Sequence, residues 1–331
     1  MTTRIKRRDL ITLLGGAAAA WPLAAGAQQP ALPVVGYFFP GMPEQTGRAA
    51  AFRKGLSEHG FVEGRNVVIE SRFARNDSSQ SPELVADLVR RRVAVIAATG
   101  GEPGALAAKA ATTTIPIVFE VGGDPVELGL VASFNRPGGN VTGVTAMNLD
   151  LDGKRLGILA ELVPGAVRIG VLVPSFLSAT TQTRIASIQA AAVALGRQIE
   201  VLPASSSREI DEVFASLAQR RIGTLLVSAN PQYYSLRAQI TTTAARLAIP
   251  ILSGDPALAE AGALVSYGSA PEDNWRLVGV YVGRILKGEK PADLPVVRPT
   301  KFEFIINMQT ARLLRIQIPP TLLALADRVI E

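Results

Sequence analysis

Apolar runs of strand length alternate with stretches of helical periodicity along most of the chain. The run Val34–Phe39 is continuous and apolar, which is typical of a strand covered on both faces. A helical stripe follows and stops at Gly60, and a second helix begins at Ser81-Pro82, with proline in its first turn. Strands separated by such helices favour parallel pairing through right-handed crossovers. The pattern therefore predicts an α/β protein.

The same unit occurs twice at a nearly constant offset. Residues 35–40 align with residues 169–174, and residues 115–118 align with residues 249–252, both at a spacing of 134. The turns that follow also agree, with Gly-Gly-Asp-Pro in the first half beside Ser-Gly-Asp-Pro in the second. Chance similarity is the alternative, and it is disfavoured because glycines and prolines match as well as apolar residues. We predict two doubly wound parallel-sheet lobes around a ligand cleft.

The first 27 residues have the pattern of an export signal. Basic residues precede an apolar stretch, and Ala25-Gly26-Ala27 provides the small residues of a cleavage site. Arg7-Arg8 resembles the twin-arginine signal of bacteria, with an ordinary Sec signal as the open alternative. A membrane anchor is disfavoured because the stretch is shorter than the roughly 20 apolar residues that a span needs. We expect cleavage after Ala27 and export.

Composition and charge exclude several kinds of chemistry. The chain has 331 residues, 48% hydrophobic and 19% charged, a length that suggests two globular domains. It has no cysteine and a single histidine, His59, which excludes thiolate chemistry, disulfides and His-rich zinc sites. Without residues 1–27 the net charge falls from +6 to +3. The arginine runs at 90–92 and 220–221 lie at the carboxyl ends of predicted helices, where cations interact favourably with the helix dipole. We therefore expect no nucleic-acid partner, metal or cofactor.

Loops at equivalent places in the two lobes form the candidate site. Ligands of open parallel sheets bind beyond the carboxyl ends of the strands, so two facing lobes would line a cleft with the same loops from each. The loop Thr99-Gly100-Gly101 precedes a predicted helix, and its N–H groups could hold a carboxylate or phosphate. A tight turn without a ligand is the alternative. Nucleotide motifs of the Walker or dinucleotide type are absent from this loop.

Two Asp-Pro turns occupy matching positions in the repeats. Asp124 and Asp255 could hold a ligand cation, act as paired general acids, or cap the following N–H groups, and capping is favoured for at least one of them. Asp255 is the better candidate for a cation partner. Phe176 and Tyr233 lie just past strand ends and could stack a flat ligand, while Trp275, within a predicted helix, is expected to take part in core or lobe packing.

Several longer motifs resemble a known family. They are the twin-arginine-like signal, Ala98-Thr99-Gly100-Gly101, the Gly-Gly-Asp-Pro-Val turn at 122–126, Asn-Arg-Pro-Gly-Gly-Asn-Val-Thr-Gly at 135–143, and the segment 283–295 ending in Lys-Pro-Ala-Asp-Leu-Pro. Together they resemble the tryptophan-binding-like family of ABC transporter substrate-binding proteins. The resemblance extends over essentially the whole chain after the signal.

The resemblance implies a type I periplasmic binding protein whose lobes are joined by three crossings. The implied crossings are 148–150, 267–270 and 298–301, which places residues 33–146 and 270–297 in lobe 1 and residues 147–267 and 300–331 in lobe 2. The family's characterised members take up aromatic amino acids. The expected partners are a small-molecule ligand and an ABC permease in the inner membrane, with the receptor a monomer in the periplasm.

We expect capture of a carboxylate-bearing solute without catalysis. Thr99, Gly100, Gly101 and Ser175 are assigned to the carboxylate, and Asn230 and Asp255 to polar or cationic groups. An enzyme on the same architecture is the main alternative, followed by the effector-binding domain of a repressor and by an interaction protein. The predicted ligand-binding residues are Phe39, Thr99, Gly100, Gly101, Asp124, Ser175, Phe176, Ser228, Asn230, Tyr233, Asp255 and Tyr267.

Overall fold

The computed structural model describes residues 31–43, 46–146, 151–175, 179–298 and 302–331. The predicted export signal at 1–27, Phe176, the predicted crossing at 148–150 and most of the one at 298–301 lie outside these residues. None of the helices in the described ranges is long and apolar enough to cross a membrane.

The first sheet consists of five parallel strands. They are β1 (Val34–Phe39), β2 (Val68–Phe73), β3 (Val95–Ala98), β4 (Ile117–Val121) and β5 (Val141–Thr145). Their order across the sheet is β2-β1-β3-β4-β5. The helices that connect the first four strands are α1 (Thr46–Glu58), α2 (Ser81–Arg90) and α3 (Glu102–Ala111). We call this sheet and the helices packed on it the first lobe.

The second sheet contains seven strands. They are β6 (Arg168–Val173), β7 (Gln198–Pro203), β8 (Thr224–Val227), β9 (Ile251–Ser253), β10 (Val265–Ser269), β11 (Phe302–Asn307) and β12 (Arg328–Ile330). Their order is β12-β11-β10-β9-β8-β6-β7. Four helices lie between β5 and β9, namely α4 (Asp152–Leu162), α5 (Ala179–Ala194), α6 (Ser207–Ser216) and α7 (Pro231–Arg246). This sheet and its helices form the second lobe.

The strand order of the first sheet is repeated in the second. The series β7-β6-β8-β9-β10 has the same order as β2-β1-β3-β4-β5, which confirms the predicted pair of doubly wound sheets. One pairing departs from the parallel pattern, because β11 runs antiparallel to β10, and β12 in turn pairs parallel to β11. The chain re-enters the second sheet at the carboxyl edge after passing through the first lobe, so the returning strand must run in the opposite direction.

Alternate residues of the central strands pack into different cores. Val35, Tyr37 and Phe39 of β1 belong to one hydrophobic cluster, whereas Phe38 belongs to another. Because neighbouring side chains of a strand point to opposite faces, this division shows that both faces of the first sheet are covered. This double burial explains the continuous apolar run at Val34–Phe39.

The short helix α8 (Pro256–Glu260) lies between β9 and β10. Helix α9 (Pro271–Leu286) follows β10 in the chain, yet it packs on the first lobe. It lies against α1 so closely that a Cβ at Gly279 would be 2.1 Å from the Phe52 carbonyl oxygen. After α9, Val297 pairs beside β5, with its N–H donating to the Gly143 carbonyl oxygen over 3.0 Å. The last two helices, α10 (Met308–Leu314) and α11 (Pro320–Leu325), lie between β11 and β12.

Candidate functional site

A cavity of about 150 Å³ lies between the two lobes, beyond the carboxyl ends of the strands. Ligands of doubly wound sheets bind at this edge, near the point where the strand order reverses. Loops and helix ends of both lobes contribute to the wall. The lining residues are Pro40, Arg48, Ser78, Gly100, Gly101, Glu102, Pro103, Glu120, Gly122, Ala146, Val173, Pro174, Thr181, Arg184, Ser205, Ser228, Ala229, Asn230, Pro231, Gln232, Gly254, Asp255, Ser269, Pro271, Asn274 and Trp275.

The glycine loop after β3 uses its N–H groups within the protein. The Gly100 N–H donates to the Glu120 carboxylate over 3.0 Å, and the Gly101 N–H donates to the Glu120 carbonyl oxygen over 3.0 Å. The buried Thr99 hydroxyl donates to a β1 carbonyl oxygen over 2.9 Å. Gly100 has a φ of 82°, and a Cβ there would lie 2.7 Å from Pro40, so the turn requires glycine. The predicted carboxylate role of this loop conflicts with this geometry, because a ligand anion would meet Glu120.

Glu120 brings a carboxylate to the cavity from within a strand. It is the fourth residue of β4 and is partly buried. Burial raises the pKa of the Glu120 carboxyl from 4.5 to about 7, while the Gly100 N–H and the Arg48 charge act in the opposite direction. Sequence reasoning missed this residue. An acid inside the apolar run Ile-Val-Phe-Glu-Val was the available signal, because buried strands seldom contain an unpaired carboxylate.

An ion pair joins the two lobes across the cavity. Arg48 on α1 donates to Asp255, which begins α8 in the second lobe, and both side chains are buried. The other carboxylate oxygen of Asp255 accepts from the Ala257 N–H over 3.0 Å and caps the helix. The Arg48 guanidinium carbon also lies 4.3 Å from the ring centroid of Tyr234 in the second lobe. Asp255 therefore caps a helix, the role favoured for at least one of the Asp-Pro turns, whereas the cation on its other oxygen is Arg48 of the protein and not the predicted ligand cation.

A second group of charges lies in the wall of the second lobe. Arg155 on α4 is 1% exposed, donates to one Asp152 oxygen over 2.7 Å, and donates through Nε to the Tyr267 carbonyl oxygen over 2.7 Å. Arg184 on α5 lies 2.9 Å from the other Asp152 oxygen and lines the cavity. Two cations share one carboxylate, so this cluster has a net positive charge. Sequence reasoning missed it because the three residues belong to two helices whose packing no local motif reveals.

Five of the predicted ligand-binding residues line the cavity: Gly100, Gly101, Ser228, Asn230 and Asp255. Asn230 also caps α7, since its side-chain oxygen accepts from the Gln232 N–H over 2.8 Å. The Gln232 side chain then donates over 2.8 Å to the carbonyl oxygen of Asn76, a residue of the first lobe. The start of α7 therefore contacts both lobes.

The predicted aromatic contacts are placed elsewhere. Phe39 is 2% exposed, and its ring packs edge-on against Trp275 with 5.0 Å between centroids. Tyr233 is fully buried in the second lobe, where its hydroxyl donates to the Ala204 carbonyl oxygen over 2.9 Å. Both residues point into cores and not into the cavity, because apolar surface is more stable there. Trp275, for which core or lobe packing is predicted, packs in a core cluster and also lines the cavity.

Three further predicted residues do not line the cavity. The Ser175 hydroxyl donates to Glu209 over 3.1 Å, in the network that caps α6. Asp124 accepts from the Val126 N–H over 2.7 Å and caps the turn that follows β4. The Tyr267 ring packs against Phe304 at 6.0 Å in the core cluster of the second lobe. Local capping and packing satisfy these side chains.

The chain matches known proteins in sequence. The family model described as ABC transporter substrate binding protein matches residues 43–330. A "Tyrosine-binding protein" of Clostridioides difficile (strain R20291) is 30% identical over 266 residues, which cover 80% of this chain and 76% of that protein.

Solved structures match the fold. An ABC domain from Streptococcus pneumonia in complex with L-Trp superposes with a TM-score of 0.80 at 25% identity, covering 90% of this chain and 100% of that one. The ligand-free, open structure of a substrate-binding protein with adhesive properties from Clostridium difficile has a TM-score of 0.62, also at 25% identity, covering 90% of this chain and 99% of that one. The lower score with the structure described as open agrees with lobes that lie close together, as the Arg48–Asp255 pair requires.

Proposed function

Because the chain belongs to the family of ABC transporter substrate-binding proteins, we propose that it is the receptor of an importer and binds a small carboxylate-bearing solute, with an aromatic amino acid as the first candidate. The matched family is described as substrate-binding, and its tyrosine-binding and L-Trp-bound relatives are binding proteins and not enzymes, which confirms the prediction that the chain is not an enzyme.

The charge of the cavity is the observation that carries the proposal. Its wall contains the cations Arg48 and Arg184 and the carboxylates Glu120 and Asp255, drawn from both lobes. A wall with both signs of charge complements a ligand that itself carries a carboxylate and an ammonium group. The names of two matched proteins, a tyrosine-binding protein and an L-Trp complex, support an amino acid as the ligand.

We propose that the ligand acts by favouring the closed arrangement of the lobes. A solute held by one lobe gains further contacts when the other lobe closes over it, and only such differential contacts can shift the equilibrium. The proposed site combines five residues predicted from sequence, Gly100, Gly101, Ser228, Asn230 and Asp255, with Arg48, Glu120, Arg184 and Trp275. The closed receptor would then be recognised by an inner-membrane permease.

The proposed location is the periplasm, reached through the export signal at 1–27. Cleavage after Ala27 would release a monomeric receptor that begins at Gln28. N-terminal sequencing of the protein from the periplasmic fraction tests this part of the proposal, with Gln28 as the expected first residue. Accumulation of the uncleaved chain in the membrane fraction would contradict it.

Thermal denaturation of the purified protein with a panel of compounds tests the function. The panel contains the common amino acids, aromatic acids and small carboxylates, each at several concentrations. A ligand present at about 100 times its Kd adds about 2.7 kcal/mol to stability, which raises the melting temperature measurably. Calorimetric titration should then give one site per chain. The absence of a shift with every amino acid and carboxylate would overturn the proposal.

A further inference from the structure

The charges of the side chains that line the cavity are unevenly distributed between the two lobes. These charged side chains are Arg48, Glu102, Glu120, Arg184 and Asp255. Arg48 and Asp255 neutralise each other across the cleft. The remaining acids, Glu102 and Glu120, belong to the first lobe, and the remaining cation, Arg184, belongs to the second. The cavity therefore has a negative side and a positive side.

Glu120 retains capacity to accept hydrogen bonds. One of its oxygens accepts from the Gly100 N–H, which is the side chain's one hydrogen bond within the described part of the chain. An ionised carboxylate has about four acceptor positions. Glu102, in the first turn of α3, adds a second negative charge to the same wall. This wall suits a cation with several N–H donors.

Arg184 forms an ion pair with a buried carboxylate, which holds its guanidinium in place. Its Nε lies 2.9 Å from Asp152, whose other oxygen is occupied by the fully buried Arg155. The Arg184 side chain is 12% exposed at the cavity. Because Asp152 pairs with Arg155 as well as with Arg184, its single negative charge does not fully balance the positive charge of Arg184. A planar guanidinium in such a position binds a carboxylate through paired N–H donors.

Resting on the function proposed above, we infer that the cleft orients an amino acid by charge, with the α-carboxylate on Arg184 of the second lobe and the α-ammonium on Glu120 of the first. Asp152 is then a positioning residue for Arg184. The substrate class is an amino acid whose carboxylate and amino groups are both free. Its orientation is opposite to the one expected from the glycine loop, which placed the carboxylate on the first lobe.

Titration calorimetry with matched ligands tests this orientation. The probes are L-tyrosine, its decarboxylated analogue tyramine and its deaminated analogue 3-(4-hydroxyphenyl)propionate, with the corresponding set for L-tryptophan. If another amino acid gives the largest thermal shift, its own amine and acid analogues replace them. The unaltered protein should bind the amino acid at least about 10-fold more tightly than either analogue, since each analogue lacks one of the two charge-assisted contacts.

Each glutamine variant should lose the preference for the amino acid over one of the two analogues and keep the preference over the other. Arg184→Gln should bind the amino acid and the amine equally while still preferring the amino acid to the deaminated acid. Glu120→Gln should show the reverse pattern. Arg184→Lys and Glu120→Asp keep the charges and should restore part of each preference. Arg208→Gln is the matched control, because Arg208 is 84% exposed and pairs with Glu212 away from the cavity.

The titrations distinguish a failure of the proposed orientation from a failure of the proposed function. If the protein binds amino acids but both glutamine variants keep both preferences, or exchange them, the orientation is wrong and the proposed function stands. If the protein binds carboxylates without an amino group as tightly as amino acids, the assignment of Glu120 is overturned. If it binds neither amino acids nor carboxylates, the proposed function fails and the orientation fails with it.

Discussion

Arg48 of the first lobe and Asp255 of the second form a buried ion pair, with side-chain exposures of 5% and 6%, between residues 207 positions apart in the chain. Removing one partner of such a pair leaves a buried charge without compensation, which is costly. In this protein the remaining charged side chain can be hydrated again when the lobes separate, because the two partners lie on different lobes. The pair therefore favours closure only while both residues are charged.

We predict that Arg48→Gln and Asp255→Asn each shift the protein toward a more open arrangement. The unpaired charge of the remaining partner is hydrated when the lobes separate, so opening relieves the cost of its burial. Small-angle X-ray scattering should give a larger radius of gyration for each variant than for the unaltered protein. Arg53→Gln is the control, because it breaks an exposed pair with Glu63 within the first lobe. Identical scattering from all of these proteins would contradict the prediction.

Asp152→Asn should destabilise the second lobe strongly. Asp152 is 2% exposed and is the carboxylate between Arg155 and Arg184, so its loss leaves two guanidinium groups close together without a counter-charge. We expect a loss of about 3–5 kcal/mol in the free energy of unfolding by urea. The exposed pair formed by Glu212 provides the comparison, and Glu212→Gln should cost less than about 1 kcal/mol. Equal effects of the two substitutions would show that the buried cluster has no special role.

Glu120 should make stability fall as pH rises. Its pKa is about 7 in the folded protein and 4.5 as the ordinary value, so between these values the folded state holds a proton that the unfolded state has lost. Stability from this group is complete below about pH 4.5 and is lost progressively up to about pH 7. The charges that act on it are Arg48, which lowers the pKa, and Glu102 and Asp255, which raise it.

Urea denaturation at pH 5 and pH 7.5 measures this effect. Glu120→Gln should be little different in stability from the unaltered protein at pH 5 and more stable than it at pH 7.5, because glutamine carries no charge to bury. Glu212→Gln serves as the exposed control and should show no such change between the two pH values. A stability difference between Glu120→Gln and the unaltered protein that is independent of pH would contradict the assigned cause.

Gly279→Ala should disrupt the contact between α1 and α9. A Cβ at this position would lie 2.1 Å from the Phe52 carbonyl oxygen, so the helices must move apart. Overpacking of this kind costs about 1–3 kcal/mol, measured as a lower free energy of unfolding. Gly47→Ala on α1 is the matched control, because its Cβ would have open space and alanine favours a helix by about 0.5–1 kcal/mol. The prediction fails if both variants are equally stable.

The site was only partly predictable from sequence. Strand-end position selected Gly100, Ser228, Asn230 and Asp255 as ligand-binding residues, and all four line the cavity, because parallel strands bring their carboxyl ends to one edge. The same rule also selected Tyr233, which points into the core. Position along a strand predicts the edge of the sheet that a residue reaches, but it does not predict the direction of the side chain after a turn.

The charged residues of the cavity were missed for a different reason. Arg48 lies on a helix with ordinary periodicity, Arg184 lies on another, and Glu120 lies inside a strand, so none belongs to a recognisable local motif. Their significance depends on which charges surround them after folding. Arg48 meets Asp255 only because the two lobes close on each other.

The sequence by itself determined the α/β class, the repeated order of elements and the edge at which a ligand would bind, because hydrophobic periodicity and turn residues act over short stretches of chain. The tertiary structure decided which of the charged groups are paired and which face the cavity. Coulomb interactions and burial depend on distances between residues that are far apart in sequence, so the packing of helices and lobes sets them. The same packing turned the glycine loop toward Glu120 and left Arg184 as the cation of the opposite wall.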